Sequence, residues 1–269
     1  MVEQTQNLKL IKEIVKLAKE ENIDKTLVQF KKLLKFRGKF SKEEIREVYK
    51  IGELFKDEKM KLHSKKFLSE IDKEIKKKEY ENLYFIKSEI LCNLGDDKKA
   101  LEFLNKTIKK YPENPEFLNT RAQILRLEGK LDEALEDINK VVEKDSKNPV
   151  FLGDRALILQ DLGKLDEALE HINKVVEKYP EDFVYLNNRA SIFRDLGRYD
   201  EALEDINKVV EKDPKNPAYL NTQALIFKDL GRYDEALENI NKVVEKYPED
   251  FVYLNKVPRH RVTGYLKIS

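Results

Sequence analysis

The chain has 269 residues, 38% of them charged, with 52 basic against 51 acidic side chains, one cysteine and no tryptophan. One cysteine, Cys92, excludes an intrachain disulfide framework and a cysteine metal cluster. No run approaches the roughly 18 apolar residues of a membrane span. The mixed charge at Glu3, Lys9, Lys12 and Glu13 gives no signal-peptide core, so a helical, cytoplasmic protein is expected.

Residues 7–40 read as two helices, about 7–20 and 24–37. Leu10, Ile14 and Leu17 give the first an apolar face; Leu27, Phe30, Leu33 and Leu34 give one to the second. Ser41 with Glu44 forms a capping box that opens the next helix. From residue 45 a 34-residue register can be laid on the chain. In 45–78 it places Gly52 at position 8, Phe55 at 11, Ser64 at 20, Leu68 at 24 and Ile71 at 27. In 81–114 it places Ser88 at 8, Gly95 at 15, Ala100 at 20, Leu104 at 24 and Pro112 at 32.

Four full repeats follow, at 115–148, 149–182, 183–216 and 217–250. INKVVEK stands at 172, 206 and 240, and the same phrase begins at 138. A fixed period in this range means stacked supersecondary units rather than one globular core. Within 115–148, two apolar runs keep three-and-four spacing and are split by Gly129. Each repeat is therefore helix, tight turn, helix. Position 8 is Ala122, Ala156, Ala190 and Ala224; position 20 is Ala134, Ala168, Ala202 and Ala236. Small residues at both let the paired helices approach closely. A further repeat starts at Phe251 and breaks at Pro258, which cannot continue a helix. The tail to Ser269 is basic. Its alternation of Val262, Gly264, Leu266 and Ile268 with polar residues is strand-like. With little helix after 250, Ile240, Val243 and Val244 are expected to be poorly covered. The tail is expected either to fold over that end or to pair with another chain.

The pattern of a small residue at 8, glycine at 15, tyrosine or leucine at 17, alanine at 20, a large apolar residue at 24 and proline near 32 resembles the tetratricopeptide repeat (TPR). LGRYDEALEDINKVVEKDP, 196–214, lies close to that family's consensus. The resemblance implies an all-α, right-handed superhelical solenoid of antiparallel helix hairpins. Its parts would be 1–80, divergent hairpins continuous with the array; 81–250, regular repeats; and 251–269, a broken repeat and basic tail.

Little points to chemistry. His63, His171 and His260 are far apart, and no phosphate loop, nucleophile elbow or metal spacing appears. No catalytic residue, metal or cofactor is expected. Charge is uneven: +7 over 1–80, −10 over 81–255 and +4 over 256–269. The basic stretches are interrupted by acids and carry no interleaved aromatics, so neither nucleic acid nor membrane is expected as partner. Position 7 (Arg121, Arg155, Arg189, Gln223) is expected to pair with position 23 (Asp137, His171, Asp205, Asn239) as internal glue, with His171 the mismatch.

The resemblance further implies that the first helix of each pair lines a concave groove through positions 2, 5, 6, 9, 12 and 13. That assigns Asn119, Asn187, Asn221 and Asn255 at position 5 and Asn188 at position 6. At position 12 it assigns Arg126, Arg194 and Lys228. Amides supply donor and acceptor together and so pair with an extended backbone. The co-chaperone clamp for acidic tails is matched only at Asn188; Gly153, Leu157, Ala218 and Thr222 depart from it. The reading is a non-catalytic scaffold that binds a peptide or protein segment in the groove. A self-assembling array, associating through its C-terminal end, and the helical part of a larger regulator are the alternatives.

Overall fold

The structure is a computed structural model that describes residues 2–35, 40–78 and 80–246. Among the described residues are fourteen α-helices and no strand. The chain divides into two compact units, residues 1–146 and 147–269.

The first unit holds α1 (Val2–Lys19), α2 (Ile23–Leu33), α3 (Lys42–Leu54), α4 (Glu58–Lys78), α5 (Glu81–Asn93), α6 (Asp97–Lys110), α7 (Pro115–Leu127) and α8 (Leu131–Lys144). The second holds α9 (Pro149–Asp161), α10 (Leu165–Lys178), α11 (Phe183–Asp195), α12 (Tyr199–Lys212), α13 (Pro217–Asp229) and α14 (Tyr233–Lys246). Sequential helices pair as antiparallel hairpins, α7 with α8, α9 with α10, α11 with α12 and α13 with α14.

Local chemistry sets these boundaries. The first helices start at a side-chain cap: Asn114 Oδ1 accepts from the N–H of Glu116 and Phe117, and Asn148, Asp182 and Asn216 repeat the device. Such a cap stabilises a helix by about 1 kcal/mol. Proline at N1 of α7, α9 and α13 gives up an N–H that the helix would leave unpaired anyway. The same helices end in a Schellman turn. Gly197 adopts φ 73°, its N–H donates to Arg194 O, and the Arg198 N–H reaches back to Phe193 O. The second helices α8, α10 and α12 have no side-chain cap; acids such as Asp132 and Glu133 sit in the first turn instead, against the positive helix end. Ala122, Ala134, Ala156, Ala168, Ala190, Ala202 and Ala224 are fully buried, as the close approach of the hairpins requires.

The N-terminal third departs from the register in detail. The first helix begins earlier than position 7, and the second ends at Leu33 rather than 37. The capping box forms as expected, with Ser41 Oγ accepting from Glu44 N and Glu44 Oε2 from Ser41 N. Gly52 does not meet position 20 of its own hairpin. A Cβ there would lie 2.8 Å from Asn93 Nδ2 and 3.1 Å from Glu89 O, so the glycine lets α3 press against α5. The close backbone approaches of α3 are accordingly to α1 and α5, not to α4. The wider gap beside α4 is filled by rings: Phe67 packs edge-on against Phe30 at 5.0 Å and Phe55 at 5.3 Å.

At the other end, Val243 is only 7% exposed, contrary to the sequence expectation, and Ile240 and Val244 are half-buried. The exposed apolar residues of α14 are Tyr233 and Leu237, at 63% and 53%. Pro258, Val262, Gly264, Leu266 and Ile268 lie outside the described residues. Among the described residues no helix is long and apolar enough to cross a membrane.

Candidate functional site

In the second unit α9, α11 and α13 pack side by side, whereas α10, α12 and α14 make no comparable approach to one another. Rows closer on one side than the other curve toward the closer side. The first helices are therefore the inner, concave layer of this unit.

That layer carries the polar residues singled out from the sequence. Asn187, Asn188 and Asn221 are half-buried, and Asn187 Oδ1 is shielded from solvent without a hydrogen-bond partner. Gly153 interrupts the amide row. A Cβ there would lie 3.0 Å from the Tyr185 ring, which occupies the room a side chain would need. Leu157, Ser191 and Leu225 are half-buried along the same face.

Position 12 behaves differently. Arg194 is 7% exposed; it donates to Asp195 Oδ1 at 2.5 Å and lies 3.5 Å from Asp229 Oδ2. Gln160 Nε2 donates to Ser191 Oγ at 2.9 Å and to Asp195 Oδ2 at 2.6 Å. One polar ladder thus crosses from α9 through α11 to α13, and Arg194 braces the layer. Lys228 is half-buried at its end. In the sequence, positions 12 and 13 stand as separate groove residues; their pairing between neighbouring repeats is a tertiary fact.

In the first unit Asn119 is fully buried, and neither its amide nitrogen nor its oxygen has a partner. It presents nothing to solvent. Arg126 is half-buried. Asn255 lies outside the described residues.

A second set of contacts runs through positions 7 and 23. Arg121 donates through Nε and Nη2 to the two carboxylate oxygens of Asp137 at 2.7 and 2.8 Å. Arg189 does the same to Asp205 at 2.6 and 2.8 Å. Two parallel charge-assisted bonds are the strongest form of this pairing. They hold both guanidinium groups above their ordinary pKa, with burial opposing. In the last hairpin Asn239 Nδ2 donates to Gln223 Oε1 at 2.7 Å. A third member escaped the sequence reading: the asparagine at position 25 of the preceding helix. Asn105 accepts from Arg121 at 2.8 Å, Asn173 from Arg189 at 3.3 Å and Asn207 from Gln223 at 2.7 Å. The asparagine of LNK at 104 and of INK in the later repeats was the available signal. Around Arg121, Asn105, Glu136 and Asp137 line a cleft of about 170 Å³ between α6, α7 and α8.

The hairpin of α9 and α10 breaks this pattern. Arg155 Nε and His171 Nδ1 are shielded from solvent, and neither has a hydrogen-bond partner. Burial, then the charges of Arg155 and Lys174, hold the His171 imidazole below its ordinary pKa. Elsewhere, His63 Nδ1 sits 2.8 Å from Lys59 O. Burial, with Glu89 and Asp97 adding to it, pushes the Cys92 thiol well up. Among the described residues no group of three His, Cys, Asp or Glu side chains is placed to hold a metal.

Comparison with known proteins agrees with the hairpin geometry. Three sequence profiles described as tetratricopeptide repeat match residues 154–217, 103–136, and 83–114 with 222–250, together more than half of the chain. The chain belongs to the tetratricopeptide repeat family. Among solved structures, a TPR protein from Parabacteroides merdae ATCC 43184 aligns with a TM-score of 0.62 at 17% identity, covering 88% of this chain and 93% of that one. TTC0263, a thermophilic TPR protein in Thermus thermophilus, aligns at 0.58 and 21% identity over 67% of this chain and 96% of its own. At such identities the likeness shows the TPR fold alone. No curated protein matches the chain in sequence.

Proposed function

We propose that this TPR protein is a non-catalytic scaffold that holds an extended peptide or protein segment along the concave layer of α9, α11 and α13. The observation that carries this reading is the row of half-buried amides on that layer, Asn187, Asn188 and Asn221. A part-exposed amide carries donor and acceptor together and so can pair with an extended backbone. Asn188 and Asn221 extend the row, Leu157 and Leu225 give apolar spots for ligand side chains, and Lys228 and the brace around Arg194 border it. Asp161, Asp195 and Asp229 on the same layer favour a polypeptide over a nucleic acid as partner.

The test is selection from a random peptide library on the folded protein. Selected peptides are then titrated by calorimetry into the wild type and into the Asn187→Ala, Asn221→Ala double variant. Alanine is the better helix former, so the melting temperature should hold or rise. Affinity should fall at least about tenfold, roughly 1.4 kcal/mol. Equal affinity for both proteins removes the groove assignment. The exposure of Tyr233 and Leu237 on α14 favours a second reading, self-association through that end. Concentration-dependent sedimentation that is abolished by Tyr233→Ser with Leu237→Ser would support it.

A further inference from the structure

In the first unit α1, α3, α5 and α7 pack side by side as an inner layer, and α2 and α4 lie outside them. The two outer helices run parallel. Lys59 meets Glu21 at 2.5 Å, the Phe67 ring meets Phe30 at 5.0 Å between centroids, and Glu70 meets Lys31 at 3.5 Å, in rising residue order on both sides. Turned away from Phe30 are Lys25, Val28 and Lys32; turned away from Phe67 are Leu62, Lys65 and Lys76, with Lys66 beside them. All seven are exposed. In the sequence these lysines are interrupted by acids. In the fold the acids of α4 leave the outer face. Glu70 and Glu74 are only 22% and 18% exposed and are held by Lys73 at 2.8 Å and Lys77 at 3.0 Å. Asp72 is held by Lys87 of α5 at 2.6 Å. Two acids stay on the outside, Asp24 and Glu58 in the first turns, and Lys61 bonds Glu58 at 2.6 Å. Among the described residues no acid lies within ion-pair distance of Lys25, Lys32, Lys65, Lys66 or Lys76. The outer helices of the regular repeats differ. There Lys140, Lys174, Lys208 and Lys242 each pair with the glutamate four residues earlier, at 2.6 to 2.7 Å. Among the free lysines Val28 and Leu62 stand 55% and 81% exposed.

We propose that the outer face of α2 and α4 docks the protein on an anionic lipid surface. An ammonium group that no internal acid neutralises is attracted by the negative potential of anionic headgroups, and the attractions of several such groups add. Val28 and Leu62 project among the charges, where they can enter the boundary between headgroups and acyl chains. The lysine stems can lie along that boundary with their charged ends in the headgroups. Outer helices that stand farther apart than the inner ones form a convex layer, which a broad surface can touch. The free cations are all lysine, and the outward residues of this face include no aromatic ring. Arginine forks and stacking rings, the usual means of holding nucleic acid, are thus absent from it. The face lies on the first unit and on its outer layer, so it stands or falls separately from the peptide groove.

The experiment is co-sedimentation of the full chain with vesicles of phosphatidylcholine alone and of phosphatidylcholine mixed with phosphatidylserine. The wild type should bind the mixed vesicles saturably and the neutral ones hardly at all. Raising the salt from about 0.1 M to about 0.5 M should weaken binding at least about tenfold. The variant with Lys32, Lys65, Lys66 and Lys76 all changed to glutamine should lose at least about thirtyfold. Glutamine suits an exposed helix position as well as lysine does, so its thermal melt should match the wild type. Val28→Ser with Leu62→Ser should weaken binding by about tenfold while the salt response remains. The control changes Lys140, Lys174, Lys208 and Lys242 to glutamine and should keep most of the binding. No binding to the mixed vesicles, or equal losses in the two quadruple variants, overturns the proposal. So does retention on a DNA duplex without vesicle binding. Salt-sensitive self-association in place of vesicle binding would also overturn it, by giving the face to the acidic part of a second copy.

Discussion

The Tyr49 hydroxyl donates to Glu116 Oε2 at 2.9 Å, joining α3 to α7 across 67 residues of sequence. The Tyr49 ring stands edge-on to Phe85 of α5, 5.5 Å between centroids. One side chain therefore ties a divergent hairpin, through the helix between, to the repeat at 115–148. Tyr49→Phe keeps the ring contact and removes the bond. It should destabilise the first unit by about 1 kcal/mol, because the carboxylate side of the bond is partly solvated. Urea unfolding of the two proteins measures this, and an unchanged midpoint would mean the bond is idle in solution.

Ala202 is fully buried between α11 and α12. Ala202→Leu should cost about 1–3 kcal/mol by overpacking. Lys208 is exposed and pairs with Glu204 at 2.7 Å, a surface ion pair of small worth. Lys208→Leu should therefore shift the thermal midpoint little. Two equal shifts would show that the alanine pair does not set the hairpin spacing.

Gly197 tests the turn rather than the core. Nothing lies within 4 Å of where a Cβ would stand, so space is no obstacle. Its φ of 73° is the obstacle, since a side chain is strained in that region. Gly197→Ala should cost about 1 kcal/mol. Gly197→Asn should cost less, since asparagine tolerates that conformation. Reversal of that order in thermal melts would contradict the Schellman turn.

His171 makes the second unit acid-sensitive. Its pKa is lowered in the fold by burial, and then by Arg155 and Lys174. The unfolded chain, with a histidine near the ordinary value of about 6.5, binds the proton more readily. Stability from this group is thus complete above that value and is lost as pH falls through the depressed folded pKa. Between pH 7 and pH 5 the wild type should lose stability, and His171→Asn should lose distinctly less. Parallel losses measured by chemical denaturation at the two pH values would place the acid response elsewhere.

The hairpin array was legible because its signals are local and repeated. Glycine at position 15, alanine at 8 and 20, and apolar residues at helical spacing recur in register, and repetition distinguishes them from chance. The pairs Arg121–Asp137 and Arg189–Asp205 were legible for the same reason, since both members lie within one unit. Less was visible where packing departs from the period. Gly52 reads as a position 8 residue, yet it serves the α3–α5 contact, because close backbone approach depends on which neighbour comes nearest. Asn119 and Asn187 read alike, but one is fully buried and the other half-buried, because burial is set by what the neighbouring helices lay over each position.

Helices, turns and repeat register follow from residue order alone, since each depends on residues within one turn or one hairpin of each other. Which polar residues are used up inside the protein does not follow from residue order. Arg194 and Lys228 share position 12, but Arg194 is buried between Asp195 and Asp229 while Lys228 is half-buried. Asn105, Asn173 and Asn207 became acceptors only when the next repeat brought an arginine or glutamine to them. Hydrogen bonds of that kind join side chains sixteen residues apart on different hairpins, and their geometry exists only after the hairpins have stacked.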